Sequence, residues 1–159
     1  MIVRRAAHED VPAILRLIRA LATFEREPDA VRATEESLAA TLFGEHAQVF
    51  AHVAEDGGTV VGIAVWFLNY STWTGRAGIY LEDLHVDEAM RGRGVGRALF
   101  EALAVEAQAR DCGRIDWAVL DWNVDAMDFY RAIGGRPQLG WQPWRLDERG
   151  IAALAKATA

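Results

Sequence analysis

Residues 81–97, Leu-Glu-Asp-Leu-His-Val-Asp-Glu-Ala-Met-Arg-Gly-Arg-Gly-Val-Gly-Arg, constrain this chain more than any other stretch. An apolar, strand-like run ends in a turn rich in glycine and arginine. That turn opens directly into the helical pattern Ala98-Leu99-Phe100-Glu101-Ala102-Leu103. A glycine-rich turn at a helix start leaves backbone N–H groups unpaired at the positive end of the helix dipole, where a phosphate or diphosphate is favoured. The arginines add fixed charge and forked donors for the same anion. A bare tight turn would also use glycine, but three glycines alternating with arginines after a strand point to a diphosphate-bearing cofactor.

What the turn lacks narrows the choice. A triphosphate-cradling loop needs G-x-x-x-x-G-K-[ST], and no Lys, Ser or Thr follows Gly96. The dinucleotide fingerprint needs G-x-G-x-x-G near a first strand, whereas here G-x-G-x-G lies deep in the chain. The net charge of −6 argues against a nucleic-acid partner and is compatible with a cationic small molecule. No apolar stretch is long enough for a membrane span, and Arg4 and Arg5 interrupt any leader-like start. Cys112 is the only cysteine, which excludes an internal disulfide and a cysteine-based metal site. His8, His46 and His52 show no ligand spacing, so no metal is expected. The expected compartment is the cytoplasm.

At 159 residues the chain is expected to form a single domain. A strand is predicted at residues 2–5. A helix is predicted over 8–24, where Val11, Ile14, Leu15, Ile18, Leu21 and Ala22 share one face and Pro12 sits in the first turn. Thr34 opens a second helix that Gly44 stops. Strands at 49–54 and 60–70 flank the hairpin turn Asp56-Gly57-Gly58. A strand comes next at 79–86, then a helix at 95–110, a strand at 114–120, a helix at 123–133 and a last strand at 141–146 with a helical tail from Asp147. The fold class is α/β (α+β): a mixed, mostly antiparallel twisted sheet with helices on both faces, order β-α-α-β-β-β-α-β-α-β.

Arg91-Gly92-Arg93-Gly94-Val95-Gly96 meets the pattern Arg/Gln-x-x-Gly-x-Gly/Ala. Trp122-Asn123-Val124-Asp125-Ala126-Met127-Asp128-Phe129-Tyr130 adds the string Trp-Asn-x-x-Ala-x-x-Phe-Tyr. Both resemble the cofactor motifs of the GNAT family of N-acetyltransferases, whose acetyl donor is acetyl-CoA. Leu-Glu-Asp before the turn, Phe43-Gly44-Glu45-His46 and Trp144-Arg145-Leu146 resemble its diamine (spermidine/spermine) and thialysine branch, over nearly the whole chain.

The resemblance implies that Leu84, His85 and Val86 offer main-chain groups to the acetyl-pantetheine arm. It implies that Arg91, Gly92, Arg93, Gly94, Val95, Gly96 and Arg97 hold the diphosphate, and that Asn123, Val124, Asp125 and Ala126 hold the pantetheine side. Tyr130 matches the family's general acid and also borders the cofactor. Glu82 and Asp83 match acids at the amine end, joined on the substrate side by Phe24, Glu25, Trp73 and Gln142. Ser71 and Gln142 stand where polyamine enzymes tend to carry acids. With two counter-charges missing, a short diamine or a lysine-like amino acid is as plausible as spermine.

A free alkylamine has a pKa of about 10.4 and must shed a proton before it attacks. Glu82 is the expected acceptor of that proton, a backbone N–H of His85 or Val86 the expected oxyanion donor, and Tyr130 the donor to the leaving thiolate. Three rivals stay open: a protein lysine or N-terminal acetyltransferase, a CoA-binding module without turnover, and a plain nucleotide-binding domain. The loop with Tyr70 and Trp73 favours a closed small-amine pocket over a peptide groove. Such enzymes commonly pair, so a homodimer is expected.

Overall fold

The computed structural model describes residues 1–156. The chain forms two compact units, Met1–Leu120 and Asp121–Ala159. In the first, strands β1 (Ile2–Arg5), β2 (Val49–Asp56), β3 (Thr59–Ser71), β4 (Arg76–Val86) and β5 (Ile115–Trp117) lie side by side in that order. All pairings are antiparallel except β4 with β5. Helices α1 (Val11–Phe24) and α2 (Glu35–Phe43) cover one face, and α3 (Val95–Ala109) covers the other.

Local chemistry explains most boundaries. Gly57 and Gly58 both take positive φ, 56° and 81°, which a two-residue turn between right-twisted strands requires. Thr34 caps α2, its hydroxyl accepting from Ser37 N at 3.2 Å while its own N–H donates to Ser37 Oγ at 3.0 Å. Gly44 ends α2 in extended geometry; a Cβ there would run into the Ala40 carbonyl. The expected helix start at His8 is instead a 3₁₀ turn, His8–Asp10. Asp10 is held there by Arg4 at 2.6 and 2.9 Å and by the N–H of Ala7 at 2.8 Å, so α1 begins only at Val11.

Alternate residues of the central strands serve the two faces. Ala51, Val53, Ile63 and Val65 pack with Ile14, Leu15, Leu38 and Leu42 of α1 and α2. Leu17, which lies off the expected stripe of α1, is also fully buried. On the opposite face α3 lies directly on Gly62: a Cβ at that position would come within 3.2 Å of Val95 Cγ1 and 3.3 Å of Leu99 Cδ1.

Two expected strands change. The one at 114–120 shortens to Ile115–Trp117. The one at 141–146 does not form: the segment is irregular, and Trp141, Trp144 and Leu146 are exposed. Pro143 removes a ladder donor from the middle of that run, which disfavours a paired strand. In the second unit α4 (Val124–Ala132) and α5 (Glu148–Lys156) form as the pattern predicts, so the order ends in a helix.

Candidate active site

The pairing of β4, which holds Glu82, Asp83 and residues 84–86, changes twice along its length. Val65 stands opposite Asp83, and the next residue, Trp66, stands opposite Leu81. Glu82 is therefore an extra residue, a bulge on β4 that re-aims the side chains beyond it. On the other edge β5 pairs only with Ile79, Tyr80 and Leu81. From Glu82 onward β4 has no β5 partner, so within the first unit no strand pairs with that edge over residues 82–86. Of Leu84, His85 and Val86, expected to offer main-chain groups, Leu84 and Val86 turn theirs to this edge, whereas those of His85 face Ile63 of β3. The Val86 carbonyl already accepts from Arg91 Nε at 3.2 Å.

The turn after β4 has the features that would suit an anion. Gly92 and Gly94 take φ 72° and 80°, a left-handed conformation that side chains resist, and nothing lies within 4 Å of where a Cβ would stand. Gly94 caps α3, and the first N–H the helix uses is that of Ala98, on Gly94 O at 3.0 Å. The N–H groups of Val95, Gly96 and Arg97 have no partner within the helix. The buried side chain of Val95 pins the helix start to the sheet. Arg97 pairs with Glu101 at 2.9 Å, and Arg93 lies 3.8 Å from the Met90 sulfur. Arg91 has the most anchored position, its guanidinium 5.0 Å from the centre of the Phe24 ring. An open glycine cradle, free helix-start amides and nearby guanidinium groups fit a diphosphate.

Three acids meet beside the bulge. Asp83 lies on the α1 face of the sheet with Val65, and its carboxyl is pushed up to about 6. Burial is the main cause, followed by the charges of Glu82 and Glu25. Glu25, at the end of α1, is itself raised by burial. The end of α1 is tightly fixed: Arg26 takes φ 67°, Arg26 N–H bonds Thr23 O at 3.1 Å, and Glu27 N–H bonds Ala22 O at 2.9 Å. This pattern closes the helix with an arginine where glycine is usual. His85, two residues from Asp83 and on the same face, is buried; its proton affinity is lowered chiefly by that burial and by Arg91.

Sequence reasoning gave the proton to Glu82 and a secondary place to Asp83, but the structure gives the raised proton affinity to Asp83. Only the bulge decides which of two adjacent acids turns toward α1, and no local signal marks it. Trp73 and Tyr70 are 87% and 63% exposed at the far end of the β3–β4 hairpin. Tyr70 lies five residues beyond Val65, about 16 Å along the strand. Within the first unit these aromatics form no closed pocket over the acids.

The second unit holds the remaining candidates. Asn123 Oδ1 accepts from Ala126 N at 3.2 Å, so the side chain caps α4. Val124, Asp125 and Ala126 form the first turn, and Tyr130 stands two turns on, with its ring 5.4 Å from that of Phe129. Gln142 lies in the irregular segment. Among the described residues no group of three His, Cys, Asp or Glu could hold a metal, and no helix is long and apolar enough to cross a membrane.

Comparison with known proteins places this arrangement. A family model described as Acetyltransferase (GNAT) family matches residues 11–134. The chain is 39% identical to the thialysine N-epsilon-acetyltransferase of Bos taurus, over 98% of this chain and 97% of that protein. It is 30% identical to an L-ornithine N5-acetyltransferase of Arabidopsis thaliana, over 97% and 87% respectively. An integron cassette protein from V. cholerae shares the fold with a TM-score of 0.81 at 27% identity, over 98% of this chain and 97% of that one. The chain belongs to the GNAT acetyltransferase family and is an N-acetyltransferase. Enzymes of this family use acetyl-CoA as the donor.

Proposed function

We propose that this enzyme acetylates the terminal amine of a small lysine-like acceptor, such as thialysine, lysine or ornithine, with acetyl-CoA as donor. The observation that carries the reading is the cluster of Glu25, Glu82 and Asp83 beside the open edge of β4. Three acids in one place suit a cationic acceptor. The named activities of the similar proteins from Bos taurus and Arabidopsis thaliana support an amino acid with a side-chain amine.

Acetyl-CoA, when bound, supplies an activated acyl group and a thiolate leaving group. The diphosphate would rest on the amides of residues 95–97 and on Arg91, Arg93 and Arg97. Glu82, exposed at the bulge, meets the incoming ammonium, and Asp83 takes its proton. A carboxyl near 6 is mostly ionised at neutral pH yet basic enough to accept a proton. The Val86 N–H, on the edge away from β3, would face the negative charge that develops on the acyl oxygen, whereas the His85 N–H is turned to β3 opposite Ile63. In oxyanion sites one such donor contributes roughly 3–4 kcal/mol. Tyr130 would give its proton to the departing sulfur, and the second proton that the nitrogen loses as the amide forms would restore the phenol. The products are an amide and a free thiol.

A screen of thiol release from acetyl-CoA tests the reading. Thialysine, lysine and ornithine are expected to give higher kcat/KM than spermidine, an aminoglycoside or a lysine-containing peptide. Preferred turnover of the peptide would replace this reading with protein acetylation. Binding of CoA with no thiol release for any amine would indicate a non-catalytic module.

A further inference from the structure

Phe24 belongs to the amine end in the sequence reading, yet in the structure its ring lies against the arginine of the anion turn. Arg91 joins three things: the turn it belongs to, the carbonyl of Val86 at 3.2 Å, and the face of Phe24 at 5.0 Å. Phe24 is the last residue of α1, and Glu25 is the next. The bonds that close α1, from Glu25 N to Leu21 O at 2.9 Å through Glu27 N to Ala22 O, leave Glu25 little freedom relative to that ring. Glu25 in turn contributes to the raised proton affinity of Asp83. The contact of Arg91 with Phe24 and the closed end of α1 therefore lead from the anion turn to Glu25, whose charge acts on Asp83, all within the first unit.

We infer that Phe24 is a positioning residue that couples the two ends of the site: an anion on the turn fixes Arg91, Arg91 fixes the Phe24 ring, and the ring fixes Glu25 for the amine. The inference rests on the reading of residues 91–97 as the diphosphate turn. A guanidinium stacked on an aromatic face attracts it electrostatically and has a preferred plane. Pairing with a diphosphate removes the remaining freedom of that plane. Ordering the helix end before the amine arrives spares the amine that cost, which makes the two ligands cooperative without any large movement.

Amide hydrogen exchange with CoA as the sole ligand tests the coupling without requiring any acceptor. In the parent protein CoA is expected to slow the amides of residues 92–97 and also those of Glu25, Arg26 and Glu27. In Phe24→Leu the slowing at 92–97 should persist while that at 25–27 disappears, and Phe24→Tyr should restore it. Arg91→Lys keeps the charge but lacks the planar face, and should likewise lose the effect at 25–27. At saturating acetyl-CoA, Phe24→Leu is expected to raise KM for the amine about fivefold or more, with kcat little changed. Slowing at 92–97 with none at 25–27 in the parent, or equal slowing at 25–27 in Phe24→Leu, overturns the coupling alone. Absence of slowing at 92–97 overturns the reading of the turn, and the coupling with it.

Discussion

Trp66 Nε1 donates a hydrogen bond to His52 Nδ1 at 3.1 Å, with both side chains buried under α3. The bond requires an unprotonated Nδ1. Burial, reinforced by Arg5, holds the imidazole down at about 4, although Glu106 opposes the shift. An unfolded histidine has a pKa near 6.5, so between about 4 and 6.5 the unfolded chain binds the extra proton. Stability contributed by this residue is complete above pH 6.5 and is lost as pH falls to about 4, by on the order of 3 kcal/mol. His52→Gln should flatten that part of the profile, as measured by urea unfolding at a series of pH values; an unchanged slope would show that the imidazole is not the titrating group.

Asp83 acts in the opposite direction. Its folded pKa of about 6 lies above the unfolded value of 3.8, so the folded state binds the proton more tightly, and stability falls as pH rises between those values. Asp83→Asn should therefore be more stable than the parent at pH 7 and above, by on the order of 1–3 kcal/mol, with no advantage at pH 3. Urea midpoints at the two pH values check this. A variant less stable at pH 7 would mean that the carboxylate is well accommodated when charged. Gained stability together with lost turnover is the pattern expected where a site tolerates strain for function.

Gly62 sets how closely α3 approaches the sheet, with Val95, Leu99 and the His85 carbonyl all within 3.3 Å of an added Cβ. Gly62→Val should cost about 2 kcal/mol, since overpacking forces neighbours from their rotamers. Because Val95 opens α3, the same substitution should weaken CoA binding. Calorimetric titration with CoA and a urea melt together test both effects, and an unaltered midpoint would contradict the tight packing.

Tyr130→Phe should lower kcat tenfold or more while CoA affinity stays within about twofold, since only the proton donor is removed. Parent-like turnover would move the protonation of the thiolate to water or to another side chain.

Much of the fold was legible because its signals are local. Thr34, the glycine pair 57–58 and the glycine-rich turn each determine a few neighbouring dihedral angles, and the structure shows the cap, hairpin and helix entry they specify. The periodicity of α1 gave its end at Phe24 but not its start, which the Arg4–Asp10 pairing moves to Val11, nor the burial of Leu17, because helices meet the sheet over more than one stripe. The run 141–146 looks apolar enough for a strand, yet a strand exists only where a neighbour completes its ladder, and Pro143 works against that. In the site, the acids and the arginines were visible as residues. What the sequence could not show was the register: the extra residue at Glu82 arises from how β3 and β4 align, and it alone turns Asp83 toward α1. The contact between Arg91 and Phe24 joins positions 67 apart in the chain, and no spacing rule reports it.

The most direct measurement is the pH dependence of kcat/KM for acetyl transfer to thialysine or lysine, in the parent enzyme and in Asp83→Asn. The parent is expected to gain activity with a break near pH 6, where Asp83 becomes free to accept a proton. In Asp83→Asn that break should vanish, leaving activity that climbs steadily toward the amine's own pKa of about 10.4. A break near 6 that survives the substitution would contradict the assignment of Asp83 as the proton acceptor.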